Sequence, residues 1–340
     1  MEPQSKLEGL PRELAWKIIE FVPESVFSLR LTSRVLRARV DEYALERGSV
    51  TLVNELIIFI NECGSPSVID IFIEVPRSKS DLFELRLKLR QTSPNLGKIS
   101  RQCEAPGTSA DKCCYVLKYD DMSEDDGFLE YLGDCMGRRI GKVSLFQFND
   151  SGIVAVARLF RGIRFKKLRV KMKTLSNDAA DFLLSRIRSS KVDKLSLRVS
   201  QVTADIPEKI MLDLSSLVRT LNIDQHFCDE IYQNSPYFFG LHDFDWAPII
   251  VEMLSRKLDK LCIFNVRSPE YLSRRSAEML EKCLPVLGKK VWFETICNAY
   301  ANPYLNRFSY TKNDYAVEAD HLYLRIRHLS RMSQKSRILS

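Results

Sequence analysis

Cations and aromatics at alternate positions in short apolar segments are the residues of this 340-residue chain with the clearest chemical use. Arg169, Lys171 and Arg198 come first along the chain, and Phe264, Trp292 and Tyr323 follow. Each has an apolar neighbour in the chain. Side chains in a strand alternate between faces, so if the apolar neighbours point inward these six line the other face. Ser144, Phe146, Ser196, Asn222, Asp224, Cys262, Glu294 and Arg325 share that parity. Aromatics and Arg are the residues that anchor interfaces, and a basic-then-aromatic strip suits an acidic peptide or protein. The alternative is that the chain's own loops cover some of the aromatics. A second candidate lies between Ile223 and Ile263, where Phe238, Phe239 and Trp246 belong to an aromatic-rich insertion. Such an insertion is either a recognition loop or a plug folded against the sheet.

Catalytic patterns are absent from the sequence. There is no phosphate-cradling Gly-rich loop, no nucleophile elbow and no His-Glu-x-x-His helix. His226, Cys228 and His242 lack the second paired element of a zinc site. The acidic run Asp120, Asp121, Glu124, Asp125, Asp126 lacks the Gly and the terminal Glu of a calcium loop, so it reads as a solvated helix start. The expectation is a non-enzymatic binding protein with no cofactor and no metal.

The elements that must position these residues come from a repeat. Its core is a basic residue followed by apolar-x-apolar: Lys142-Val143-x-Leu145, Lys167-Leu168-x-Val170, Lys194-Leu195-x-Leu197, Lys260-Leu261-x-Ile263 and Lys290-Val291-x-Phe293. Leu221-x-Ile223 and Leu322-x-Leu324 are looser copies. Helix-like segments fall at 151–161, 177–188 with Ser176 as cap, 246–258, and 269–284. Strands alternating with helices imply parallel pairing and an α/β fold. The spacing resembles that of leucine-rich repeats, which predicts an irregular solenoid with a parallel sheet. The Asn that caps regular repeats is missing, because Phe148, Lys173, Ser200, His226, Val266 and Ile296 stand there. Ahead of the repeat, 50–63 fits a helix with strand character, 67–75 and 113–119 read as strands, and 79–91 and 124–137 as helices. A long loop over 92–112 separates them.

Composition bounds the function. Hydrophobic residues make up 45% and charged residues 28%, a globular balance. The longest apolar runs are too short to cross a membrane, and the charged N-terminus does not read as a signal peptide. Nine cysteines without a C-x-x-C pair read as reduced thiols, which places the chain in cytosol or nucleus. A net charge of +7 suits either solubility or an acidic partner and does not by itself indicate nucleic acid.

The N-terminal stretch Leu7–Tyr43 differs from the rest. Pro11 suits a first helical position, and Leu10, Leu14, Ile18 and Phe21/Val22 follow at steps of three and four, with Ala15 and Ile19 widening the face. Pro23 stops the helix. A short segment through Leu29 and a helix carrying Leu36, Val40 and Tyr43 come next.

This stretch resembles an F-box. The family's Leu-Pro-x-Glu-Leu opening is matched by Leu10, Pro11, Glu13 and Leu14, and its aliphatic pair by Ile18 and Ile19. Phe21, Val22 and Pro23 match the break, and Leu29, Leu31, Ser33 and Arg34 the Leu-x-Leu-x-Ser-Arg segment. Leu36 stands where many members carry Trp. The whole chain is similar to the nematode F-box C family. The resemblance implies a three-helix F-box at 1–48, an α/β linker or first irregular repeats at 49–140, a substrate-recognition domain at 141–330 and a basic tail at 331–340. It also implies docking on a Skp-family adaptor, and through it a cullin, within an SCF ubiquitin ligase, with an unknown protein as substrate. Leu10, Pro11, Leu14, Ile18, Ile19, Val22, Pro23 and Leu29 are the adaptor-binding residues this implies. Two alternatives stay open: an N-terminal cap on a ubiquitin-independent scaffold, and nucleic-acid binding through the basic strip.

Overall fold

The computed structural model describes residues 7–21, 29, 32–46, 53–61, 68–77, 80, 83–84, 100–102, 112–119, 127–137, 139–202, 207–225, 246–266, 280, 282–287, 290–297, 308–312, 314–320 and 323–331. These form an α/β protein with a mixed sheet and seven α-helices among the described residues. The chain divides into two compact units, Met1–Gln147 with Ser151–Lys166 and Phe148–Asp150 with Lys167–Ser340.

In the first unit, helices α1 (Arg12–Phe21) and α2 (Arg34–Glu46) pack on each other through Ala15, Trp16 and Ile19 against Leu36, Val40 and Tyr43. Trp16 meets Tyr43 edge-on at 6.2 Å, and Arg12 lies 4.1 Å above the Trp16 ring while pairing with Glu42 at 3.2 Å. Strands β1 (Val53–Asn61), β2 (Val68–Pro76), β3 (Ser100–Gln102), β4 (Lys112–Tyr119) and β5 (Arg139–Phe148) pair in the order β5-β1-β2-β4-β3. Only β1 and β5 run parallel. Of the reading of 50–63 as a helix with strand character, the described part, 53–61, is strand throughout. Leu56, Ile58 and Ile60 are all buried, so burial follows period two, and the β-branched Ile58 and Ile60 fit a pleated face better than a helix. The predicted 92–112 loop contains β3, and most of the predicted 79–91 helix lies outside the described residues. Helix α3 (Phe128–Met136) packs on α4 (Ile153–Leu159) so tightly that a Cβ on Gly133 would stand 2.5 Å from the Leu159 carbonyl oxygen.

The second unit carries the repeat. Strand β6 (Arg164–Leu175) enters it at Lys167 and leads through α5 (Asn177–Ser190) to β7 (Lys194–Val202). Helix α6 (Pro207–Leu217) leads to β8 (Thr220–Gln225), and α7 (Trp246–Ser255) to β9 (Lys260–Val266) and then β10 (Trp292–Cys297). Ser176 caps α5 by accepting a hydrogen bond from the Ala179 N–H at 3.1 Å. Strands β6 to β10 pair in parallel. Helices α5, α6 and α7 touch in succession, so the crossovers lie on one side of the sheet. That side buries Leu168, Val170, Leu195, Leu197, Leu221, Ile223, Leu261 and Ile263. Without an Asn ladder, the turns entering the strands are tied by main chain. Asp193 O accepts from Arg219 N at 2.9 Å, Arg219 O from Asp259 N at 2.8 Å, and Asp259 O from Trp292 N at 2.9 Å.

The sheet is not a solenoid, which corrects the leucine-rich-repeat expectation. Beyond β10 come β13 (Tyr323–His328), β12 (Tyr315–Asp320) and β11 (Phe308–Lys312), all antiparallel to their neighbours. The cause is connection length. Only two residues separate Asp320 from Tyr323, and Asp314, with φ 64, sits in the equally short turn between β11 and β12. Such connections return a strand antiparallel, whereas a parallel return needs a dozen or more residues. Leu324 of the seventh apolar-x-apolar copy therefore lies on a hairpin strand and not in another βα repeat, while Leu322 lies outside the described residues.

Candidate functional site

The face of the second unit's sheet opposite its helices is built by register. One row runs Lys167, Lys194, Thr220, Lys260, Trp292, Arg327. The next runs Arg169, Ser196, Asn222, Cys262, Glu294, Arg325, Glu318. A third runs Lys171, Arg198, Asp224, Phe264, Ile296, Tyr323. Because each strand contributes every second residue, the parity read from sequence places all six predicted strip residues here.

The two ends of this face differ in charge state. At the β9–β10–β13 end, charges neutralise one another. Glu294, only 8% exposed, accepts from Arg325 Nε at 2.8 Å, and Nη2 of the same guanidinium contacts the same oxygen. Arg325 also lies 3.5 Å from Glu318, which accepts from Arg327 at 2.8 Å. Burial works against the Arg325 cation, but Glu294 and Glu318 outweigh it and hold its pKa above the ordinary guanidinium value. The Cys262 thiol sits 3.9 Å from Glu294 Oε2, and burial pushes its pKa up to about 11, with Glu294 adding to the shift and Lys260 opposing it. Cys262 is therefore a protonated packing residue and not a nucleophile. Lys260 stands 3.7 Å and Arg327 5.5 Å from the Trp292 ring centroid, so that ring is already engaged by cations. Arg325 covers Tyr323 at 4.8 Å.

At the β6–β7 end the cations are exposed. Lys167, Arg169, Lys171 and Lys173 all project to solvent from β6, as Lys194 does from β7. Arg198 pairs with Asp224 at 3.5 Å. Among the described residues no carboxylate pairs with Lys167, Lys171, Lys173 or Lys194. Lys167 faces Lys194 directly, and Lys171 faces Arg198.

The N-terminal helices present the second candidate surface. In α1 the inward residues are Ala15, Trp16 and Ile19, so the stripe of Leu14 and Phe21 turns outward, at 46% and 86% exposure. Pro11 is exposed, Leu10, Ile18 and Leu29 are half-buried, and Val35 of α2 is exposed. Leu7, Leu10, Ala15, Ile18, Ile19, Leu29, Leu36, Arg39 and Val40 enclose a crevice of ≈ 10 Å³, about the room of one water.

Val22, Pro23, Phe238 and Phe239 lie outside the described residues, as do His226, Cys228 and His242, while Trp246 opens α7. Sequence reasoning missed Lys167, Lys173, Lys194 and Lys260 as surface residues. The signal was present: Lys167, Lys194 and Lys260 open their repeats two positions before the next residue of the charged face, and Lys173 stands two positions after Lys171. Among the described residues no group of three or more His, Cys, Asp or Glu is placed to hold a metal ion, and no helix is long and apolar enough to cross a membrane. Comparison of the chain with protein-family models, curated proteins and solved structures returns no match.

Proposed function

We propose that the chain is the substrate-recognition adaptor of an SCF-type ubiquitin ligase, non-catalytic itself. In this reading the N-terminal helices dock on a Skp-family adaptor, and through it a cullin, while the sheet domain holds a target protein. The observation that carries it is the division of α1 into two apolar faces. Ala15, Trp16 and Ile19 satisfy the internal packing, yet Leu14 and Phe21 stay in water. An exposed apolar stripe on so small a module marks a docking surface, and it coincides with the residues that carry the F-box resemblance. The third helix of that motif and Val22-Pro23 belong to the same proposal. The ubiquitin-transfer chemistry then resides in other subunits, and this chain contributes proximity.

The test is calorimetric titration of a Skp-family adaptor into the full chain, beside a Leu14→Glu/Phe21→Glu variant. Both positions are exposed, so the variant keeps its fold by circular dichroism. Burying each side chain is worth ~1.5–3 kcal/mol, so the variant should bind at least about a hundredfold more weakly. A folded parent that does not bind, or a variant that binds equally well, removes the ligase reading. The N-terminal helices would then be an internal cap on a ubiquitin-independent scaffold for protein–protein interaction.

A further inference from the structure

We infer that the β6–β7 end of the charged face is the docking site for an extended acidic protein segment, with carboxylates at every second residue running along β6. This names the substrate chemistry within the adaptor reading and rests on that reading only for its biological use, since the binding itself stands on the sheet. The argument begins with spacing. Lys167, Arg169, Lys171 and Lys173 recur every second residue on one strand, which sets them ~6.6–6.8 Å apart. A peptide in extended conformation repeats its own side chains at the same interval, so alternate Asp or Glu residues match the cations one for one.

The second argument is cost. Like charges directly opposite on neighbouring strands are destabilising, and this face sets Lys167 against Lys194 and Lys171 against Arg198. Asp224 pairs with Arg198. An incoming row of carboxylates between the two strands would relieve the Lys167–Lys194 pair and add to what Asp224 does for Arg198.

The neighbouring region shows the contrast. From β9 to β13 the same face holds Glu294 and Glu318 against Arg325 and Arg327, an arrangement already closed on itself. Lys167, Lys171, Lys173 and Lys194, which pair with no carboxylate among the described residues, all lie on β6 and β7.

A nucleic acid fits this strip less well. Single strands are held by cations together with aromatic platforms on which bases stack. The charged-face residues of β6, β7 and β8 in these rows are Lys, Arg, Ser, Thr, Asn and Asp, with no aromatic among them. Trp292, the nearest indole in register, is occupied by Lys260 and Arg327.

The experiment is fluorescence-anisotropy titration of the full chain with three labelled probes. One is a peptide alternating Glu with Ser, the second has the same composition with the Glu residues in one block, and the third is a single-stranded oligonucleotide of equal charge. The alternating peptide should bind tightest. A Lys171→Glu/Lys194→Glu variant, altered only at exposed positions, should bind it about tenfold more weakly or worse, and Lys171→Gln/Lys194→Gln should fall between. Equal affinity in parent and variants, or no binding of the alternating peptide, overturns the proposal. Tightest binding by the oligonucleotide replaces it with a nucleic-acid site, and tightest binding by the block peptide removes the strand register. Adaptor titration on the same preparations separates the two readings: peptide binding without adaptor binding defeats the ligase role alone.

Discussion

Breaking the Glu294–Arg325 pair measures how firmly one end of the charged face is closed. Glu294→Gln keeps the size of the side chain and removes its charge. A hydrogen bond to a charged group contributes about 1.5–3 kcal/mol, and removing one partner of a buried ion pair costs about 3–5 kcal/mol. Arg325 retains Glu318 at 3.5 Å, so the loss for Glu294→Gln falls near the lower figure, about 2 kcal/mol. Arg325→Met costs more, about 3 kcal/mol, because Glu294 is 8% exposed and keeps only the Cys262 thiol as a neutral neighbour at 3.9 Å. In the double variant both charges are gone and no buried charge is stranded, so its loss should stay near about 3 kcal/mol rather than the sum. The coupling energy is then about 2 kcal/mol, within the range for residues in one network. Urea denaturation followed by circular dichroism, at constant m, reads all three variants. A coupling below about 0.5 kcal/mol would mean that the two residues act independently, and the account of a self-neutralised end would fail.

Ser176→Ala removes the α5 cap and should cost about 1 kcal/mol, lowering Tm by ~2–4 °C in a thermal scan. Gly133→Ala forces a Cβ toward the Leu159 carbonyl oxygen at 2.5 Å, where backbone must yield, so a loss of about 1–3 kcal/mol is expected by the same scan. Cys262 should resist iodoacetamide at pH 8 until the chain is unfolded, with modification followed by mass spectrometry. Its raised pKa also sets a sign: the unfolded thiol loses its proton near 9.0 and the folded one near about 11, so its contribution is complete below pH 9.0 and declines as pH rises toward 11, by at most about 1.4 kcal/mol per unit. A Cys262→Ala variant should show a shallower loss of urea midpoint over that window.

Much of the second unit was legible because one signal recurs. Each apolar-x-apolar pair from Leu168 to Ile263 falls on a parallel strand, as does Phe293 of the next, and period two assigns both faces without knowledge of the fold. The ends were not legible, because Leu322-x-Leu324 carries the same local pattern as the true repeats. Only the short Asp320–Tyr323 connection distinguishes a hairpin from a crossover. Residues 53–61 misled for a related reason: Leu56, Phe59 and Ile60 satisfy helical spacing, while Leu56, Ile58 and Ile60 satisfy strand spacing, and pairing with β2 and β5 decides between them. In α1 the apolar periodicity was plain, but which stripe faces inward was not. Trp16 turns the helix, because its indole buries more surface against Tyr43 than Leu14 could.

That rotation of α1 and the crowding of cations on β6 share a physical character. Each leaves in water something that the fold alone would hide or disperse. A sheet face optimised only for stability would alternate charge signs across neighbouring strands, and β9 to β13 do so with Glu294, Arg325 and Glu318 in one row. The β6–β7 pair, in the same unit and on the same face, places like charges opposite each other instead. One sequence therefore contains both the solution and the departure from it, so a general excess of basic residues does not explain the departure. A moderate +7 net charge spread at random would not stack four cations on one side of one strand. Departures from local consistency gather where a protein meets something else, and the two in this chain differ in chemistry, one apolar and one cationic. In the proposed reading the apolar stripe serves the Skp-family adaptor and the cationic strip the target, so the two titrations above test them separately.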